Sequence, residues 1–138
     1  MIESWNLWVP GHPKPQARPR VGAGRTFSPK TPWWNAVYLS ARANRPLLPI
    51  TGPLFVRINF YFPGKGGEEL PTWKTTRPDS DNLEKAVWDA MQAALWFLDD
   101  AQIVSSRTMK LFCGGVICKK PGASITMERA VLVGQAGA

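Results

Sequence analysis

Ten residues at positions 53–62, PLFVRINFYF, alternate strictly between Leu54, Val56, Ile58, Phe60 and Phe62 on one side and Phe55, Arg57, Asn59 and Tyr61 on the other. A period of two is the period of a strand, so this segment has to lie in a sheet with one apolar and one more polar face. Further along, the period changes. Leu83, Val87, Ala90 and Ala94, with Ala86 and Met91 beside them, recur at three- and four-residue steps. That spacing predicts an amphipathic helix over residues 81–96 that packs its stripe on the sheet.

The remaining segments fit around this pair. In SWNLWV, residues 4–9, Trp5, Leu7 and Val9 share one alternating face, and Pro10 ends the strand. WWNAVYLSARAN, residues 33–44, suits a helix, with Pro32 acceptable in its first turn and Pro46 beyond its end. Residues 102–118 and 124–133 read as two more strands parted by the turn KKPGA. The order β-α-β-α-β-β predicts an α+β fold, a small mixed sheet packed by two helices. A chain of 138 residues is long enough for one core and too short for two, so residues 1–138 are expected to form a single domain. Between the first strand and first helix, PGHPKPQARPRVGAGRTFSPKTP (residues 10–32) has Pro and Gly at turn spacing and no apolar period. It is expected to be an exposed basic loop, and a loop of that length in a small domain is usually functional or disordered.

No segment approaches the roughly 18 uninterrupted apolar residues of a membrane span. The start, MIESWNLWVPGH, lacks the basic, apolar and small-residue pattern of a secretory signal. A cytoplasmic protein without a membrane partner is the expectation. Cys113 and Cys118 are the two cysteines, and the one histidine, His12, is far upstream. Neither a disulfide framework nor a zinc site is indicated, so buried, inert thiols are expected.

Charge is segregated along the chain. Between Glu3 and Glu68 there is no acidic residue, while Lys14, Arg18, Arg20, Arg25, Lys30, Arg42, Arg45, Arg57 and Lys65 fall in that interval. Six of the ten acidic residues, Asp79, Asp81, Glu84, Asp89, Asp99 and Asp100, then lie within residues 79–100. A net charge of +7 attracts polyanions, nucleic acid being the commonest, and an acidic focus within such a field calls for a cation. A solvated basic surface without a partner is the plain alternative.

Helix capping accounts for part of the focus. Asp81 as N-cap with Glu84 three residues on has the pattern of a capping box. Capping does nothing for Asp99 and Asp100, which follow the helix C-terminus, where negative charge costs about 0.3–1 kcal/mol unless neutralised. A hard divalent ion such as Mg²⁺ takes a few carboxylates and supplies that neutralisation. In an extended DSD stretch, Asp79 and Asp81 point to one side about 6–7 Å apart, within reach of one ion or of a pair. Asp100 is a further candidate, although sequence alone does not place it there. A calcium loop is excluded by Leu83 and Glu84, and a phosphoaspartate enzyme by TTRP in place of a buried strand before Asp79. Lys85, one turn beyond Asp81, is either a surface partner of Asp89 or an ammonium beside the metal.

These residues resemble a known family. The basic Pro/Gly-rich segment at residues 10–32, the run DSDNLEKAVWDA at 79–90, and WFLDDAQ at 96–102 are similar to the corresponding motifs of RusA-type Holliday-junction resolvases, the last with one extra residue. The resemblance implies catalytic, metal-binding Asp79, Asp81 and Asp100, an essential Lys85, Mg²⁺ with Mn²⁺ able to substitute, and a homodimer making paired nicks in four-way DNA junctions. Where some members carry an arginine run before the first aspartate, this chain has only Arg77 and then Pro78. Lys14, Arg18, Arg20, Arg25, Lys30 and Arg77 are the expected phosphate contacts. Among the aromatic residues, Trp33, Trp34 and Trp73 are candidates for a wedge at the crossover, with core packing expected for most of the seven tryptophans. The rival readings are a structure-selective nuclease for other DNA and a basic DNA-binding protein without activity.

Overall fold

The computed structural model describes residues 2–17, 20–22, 25–27, 30–64, 72–114 and 120–130. Its strands are β1 (Ile2–Pro10), β2 (Arg20–Gly22), β3 (Arg25–Phe27), β4 (Leu54–Phe62), β5 (Thr72–Trp73), β6 (Ile103–Phe112) and β7 (Gly122–Ala130). Helix α1 (Pro32–Ala43) follows β3, and α2 (Ser80–Ala93) and a single 3-10 turn (Asp100–Gln102) precede β6. The expected order survives with three short strands added. Two of these, β2 and β3, form an antiparallel pair inside the segment read as loop.

The main sheet has the order β1-β7-β4-β6-β5 and is mixed, with β4 and β6 parallel and the other neighbours antiparallel. Parallel neighbours require a crossover, and α2 lies in the one between β4 and β6. Alternation along β4 is as the sequence predicts: Leu54, Val56, Ile58, Phe60 and Phe62 are buried, and the intervening residues are half-buried or exposed. Leu7 and Val9 of β1 and Ala123, Ile125 and Met127 of β7 join them in one core with Trp33, Val37 and Ala41 of α1 and the Leu83, Val87, Ala90 and Met91 stripe of α2. The helices therefore cover one face and leave the other open. No helix among the described residues is long and apolar enough to cross a membrane.

Helix α1 begins as expected: Thr31 Oγ1 accepts from Trp34 N–H at 3.0 Å, and Pro32 occupies the first turn. Helix α2 differs at both ends. It starts at Ser80 with Asp79 as N-cap, two residues earlier than the Asp81 cap the sequence suggests, and Asp79 makes no side-chain capping bond. Glu84 does not reach back to a capping box, because its carboxylate accepts a hydrogen bond from the Thr108 hydroxyl on β6. At the other end the helix stops at Ala93, short of Trp96. Leu95 takes a left-handed conformation with φ 66°. Leu95 N–H bonds Gln92 O at 3.0 Å and Trp96 N–H bonds Met91 O at 3.1 Å, a Schellman closure with leucine where glycine is usual. Trp96 then turns into the core, and its Nε1–H donates to Ala41 O of α1 at 2.7 Å.

Cys113 corrects the reading of inert thiols, since it is half-buried and disulfide-bonded. Cys118 lies outside the described residues. Left-handed geometry costs a residue with a Cβ roughly 1–2 kcal/mol, offset in part by the backbone entropy glycine gives up. Replacing Leu95 with glycine is accordingly expected to stabilise the protein by about 0.5–1 kcal/mol, read as a higher urea midpoint at unchanged slope.

Candidate active site

A groove of about 1120 Å³ opens beside the start of α2, with Lys14, Lys74, Arg77, Asp79, Asn82 and Lys85 among its lining residues. The N-terminal loop and the residues that follow β5 supply its walls. Gln16 N–H donates to Asn82 O at 3.0 Å, which ties the loop to the first turn of α2. Lys74 is held over the rings of Phe62 and Phe112, 5.2 and 4.9 Å from their centroids, and its ammonium donates to Thr76 Oγ1 at 2.8 Å.

The turn that delivers Asp79 is fixed from below. Lys110 of β6 reaches across with its Nζ 2.9 Å from Thr76 O and 2.9 Å from Pro78 O. Those carbonyls flank the Arg77–Pro78 peptide, which is cis, and the second belongs to the residue just before Asp79. Together with the Thr108–Glu84 hydrogen bond, this clamps the beginning of α2 to the far end of β6. Asp79 and Asp81 are exposed, and Asp81 Oδ1 accepts only from the neighbouring Asn82 N–H at 2.9 Å among the described residues. Both carboxylates are open to a ligand.

Asp99 and Asp100 divide by role. Asp99 Oδ1 accepts from Ala101 N–H at 2.9 Å, and the Gln102 side chain accepts from Asp99 N–H, so the capping box of the region lies here. The Asp100 carboxylate has no hydrogen-bond partner among the described residues and is exposed. Its backbone N–H donates to Gln92 Oε1 at 3.0 Å, which places it beside the last turn of α2. Gln92 is about 16 Å along the helix axis from Asp81 at 1.5 Å per residue. Among the described residues no group of three His, Cys, Asp or Glu is arranged to hold a metal ion. One chain gathers Asp79 and Asp81 and sets Asp100 apart.

The other sequence candidates are distributed as follows. Lys14, Arg77 and Lys85 line the groove with Asp79. The Lys85–Asp89 surface pair, one of the two readings of Lys85, is absent, because Asp89 Oδ2 takes Trp34 Nε1–H at 2.8 Å and Lys30 Nζ at 3.3 Å. Lys30 also sits 4.2 Å from the Trp34 ring centroid, so it latches the loop to the helices. Arg20 and Arg25 stand on the paired β2 and β3, their side chains outside the described part, and Arg18 lies outside it altogether. Trp33 is core at 2% exposure, Trp34 stacks on Tyr38, and Trp73 is exposed.

Sequence reasoning missed Lys74 and Lys110. Lys110 had a signal: it shares the helix-facing phase of β6 with Thr108, where an apolar residue is expected. Lys74 follows Trp73 in a segment with no period to read.

With this geometry in place, comparison with known proteins is decisive for kinship. The family described as endodeoxyribonuclease RusA matches residues 10–128. The chain belongs to the RusA family. A crossover junction endodeoxyribonuclease of Lactococcus phage r1t is 40% identical over 52 residues, 38% of this chain and 40% of that protein. The Escherichia coli K12 crossover junction endodeoxyribonuclease RusA is 37% identical over 59 residues, 43% of this chain and 41% of the relative. The chain thus matches about two fifths of the length of these RusA relatives.

Lys110 and Lys85 should separate by assay. Lys110→Met leaves the exposed Thr76 carbonyl and the half-buried Pro78 carbonyl without their donor and is expected to lower stability by about 1–2 kcal/mol in urea unfolding. Lys85→Met, at an exposed position without a partner, is expected to stay within about 0.5 kcal/mol of the parent.

Proposed function

We propose that this RusA-family protein is a divalent-metal-dependent endodeoxyribonuclease that resolves four-way DNA junctions, acting in recombination and repair. The observation that carries the reading is the exposed carboxylate of Asp79, with exposed Asp81 two residues on, in a groove whose other charged lining residues are Lys14, Lys74, Arg77 and Lys85. Cations along the groove receive the phosphate backbone, and the carboxylates sit where only a cation lets that backbone approach.

The donor set fits Mg²⁺, with Mn²⁺ as a substitute, since both accept carboxylate oxygens and water. Asp79 and Asp81 of one chain would hold the ion. Asp100, at the opposite end of α2, joins them in this proposal from a second copy, with the two α2 helices running antiparallel across a two-fold axis. A bound divalent ion supplies an activated water and positive charge against the transition state of phosphodiester hydrolysis. Lys85, one turn from Asp81 and facing the groove, donates a hydrogen bond to the leaving oxygen as charge develops there. Lys14, Lys74 and Arg77 hold the flanking phosphates and fix the register of the cut strand. A homodimer presents two such sites to two strands, as paired nicks require.

Support comes from family membership and from relatives named as crossover junction endodeoxyribonucleases. The test incubates the protein with a labelled four-way junction and with matched linear duplex, in Mg²⁺ or EDTA. Junction cleavage in Mg²⁺ alone is expected. Asp81→Asn should bind the junction and leave it intact, and Lys85→Met should cut about a hundredfold more slowly. Equal cutting of duplex and junction would reduce the reading to a less selective nuclease, and absence of cutting by the parent protein would remove it.

A further inference from the structure

The face of the sheet opposite the helices carries an arrangement that the groove does not use. The register sets its residues in rows across four strands. Asn6, Thr126, Arg57 and Arg107 make one row, and Trp8, Ser124, Asn59 and Met109 make the next. Arg57 and Arg107 are direct partners on β4 and β6. Like charges side by side on one face are unfavourable, and the single acidic residue on the described part of this face is Glu128, 3.0 Å from Arg57 Nη2. Arg107 is exposed and has no ion-pair or hydrogen-bond partner among the described residues. Between the two guanidinium groups is a hollow of about 90 Å³ completed by Asn59, Met109, Ser124 and Thr126. The Thr126 hydroxyl donates to Asn6 Oδ1 at 2.9 Å, which leaves two forked donors, an amide and the Ser124 hydroxyl around so small a space, a set that suits a tetrahedral oxyanion.

One row along, Trp8 lies across β7. A Cβ built on Gly122 would come 2.7 Å from Trp8 Cζ2 and would collide with Val9 O, so only glycine admits the ring there. Tyr61 approaches from the other side, its ring centroid 6.2 Å from that of Trp8 at 48°. The indole is 46% exposed, although tryptophan is usually among the better buried residues. An exposed indole backed by a half-buried tyrosine, near arginines on an open sheet, is what an unpaired nucleotide strand requires: rings for the bases, cations for the phosphates. A duplex, with its bases stacked internally, has no use for the ring.

We propose that this open face binds single-stranded DNA, with a backbone phosphate between Arg57 and Arg107 and an adjacent base stacked on Trp8 and Tyr61. The proposal rests on the reading above for DNA as the polyanion, and it requires no cleavage.

Fluorescence anisotropy of a labelled 15-residue oligodeoxythymidine, measured in EDTA, tests it separately from the nuclease assay. The parent protein should bind. Trp8→Ala and Arg107→Ala should each weaken binding about tenfold, and Arg107→Ala should flatten the salt dependence by about one ion. Unchanged affinity in both folded variants would overturn the proposal. So would a shift in sedimentation of Arg107→Ala without a loss of oligonucleotide affinity, which would make this face a contact between copies. Photocrosslinking of a 4-thiothymidine oligonucleotide to the unaltered protein guards against misfolded variants. Crosslinks at Trp8 or Tyr61 support the face, and crosslinks confined to groove residues such as Lys14 overturn it.

Discussion

Helix α2 runs against β6 in the opposite direction, and the rest of the site follows from that packing. Lys110 and Thr108 of β6 hold the beginning of the helix through the carbonyls of Thr76 and Pro78 and the carboxylate of Glu84. Gln92, near its end, holds the backbone of Asp100 just before β6 begins. Seven residues of β6 separate Ile103 from Lys110, about 23 Å of extended chain. The helix and the strand therefore give the same result by independent routes. Asp79 and Asp81 lie at one end of the unit and Asp100 at the other.

That separation shapes the electrostatics. Asp79 and Asp81 by themselves would make a weak cation site beside a basic groove, and Asp100 alone is an exposed charge near a helix C-terminus, where the dipole disfavours it. Neither half is satisfied within one chain. A two-fold pairing that sets α2 antiparallel to its copy brings opposite ends together twice. In the proposed enzyme it resolves both deficits at once, and its two sites match the two strands to be cut.

The fold was largely legible because burial leaves a local trace. The alternation in PLFVRINFYF and the stripe from Leu83 to Ala94 are direct consequences of facing one core, and both segments form the predicted elements. The ends of α2 left weaker traces. Its stop is a left-handed leucine rather than a glycine, and its cap, Asp79, is two residues before the one that the Glu84 spacing favours. Lys14, Arg77, Asp79 and Lys85 were found by residue type and do share a groove. Lys30 had the right charge and a different employment, since only the folded chain brings Asp89 and Trp34 to it. Asp99 became distinguishable from Asp100 only once its capping bonds were visible.

In the proposed enzyme, Asp79 and Asp81 act with Asp100 of a second copy. Mixing two variants, Asp81→Asn and Asp100→Asn, tests it most directly. Each alone should fail to nick a four-way junction. After subunit exchange, a mixed pair holds one doubly altered site and one intact site, so single-strand nicking is expected to return. If the mixture stays as inactive as its components while the parent protein cuts, the three carboxylates do not assemble across two chains.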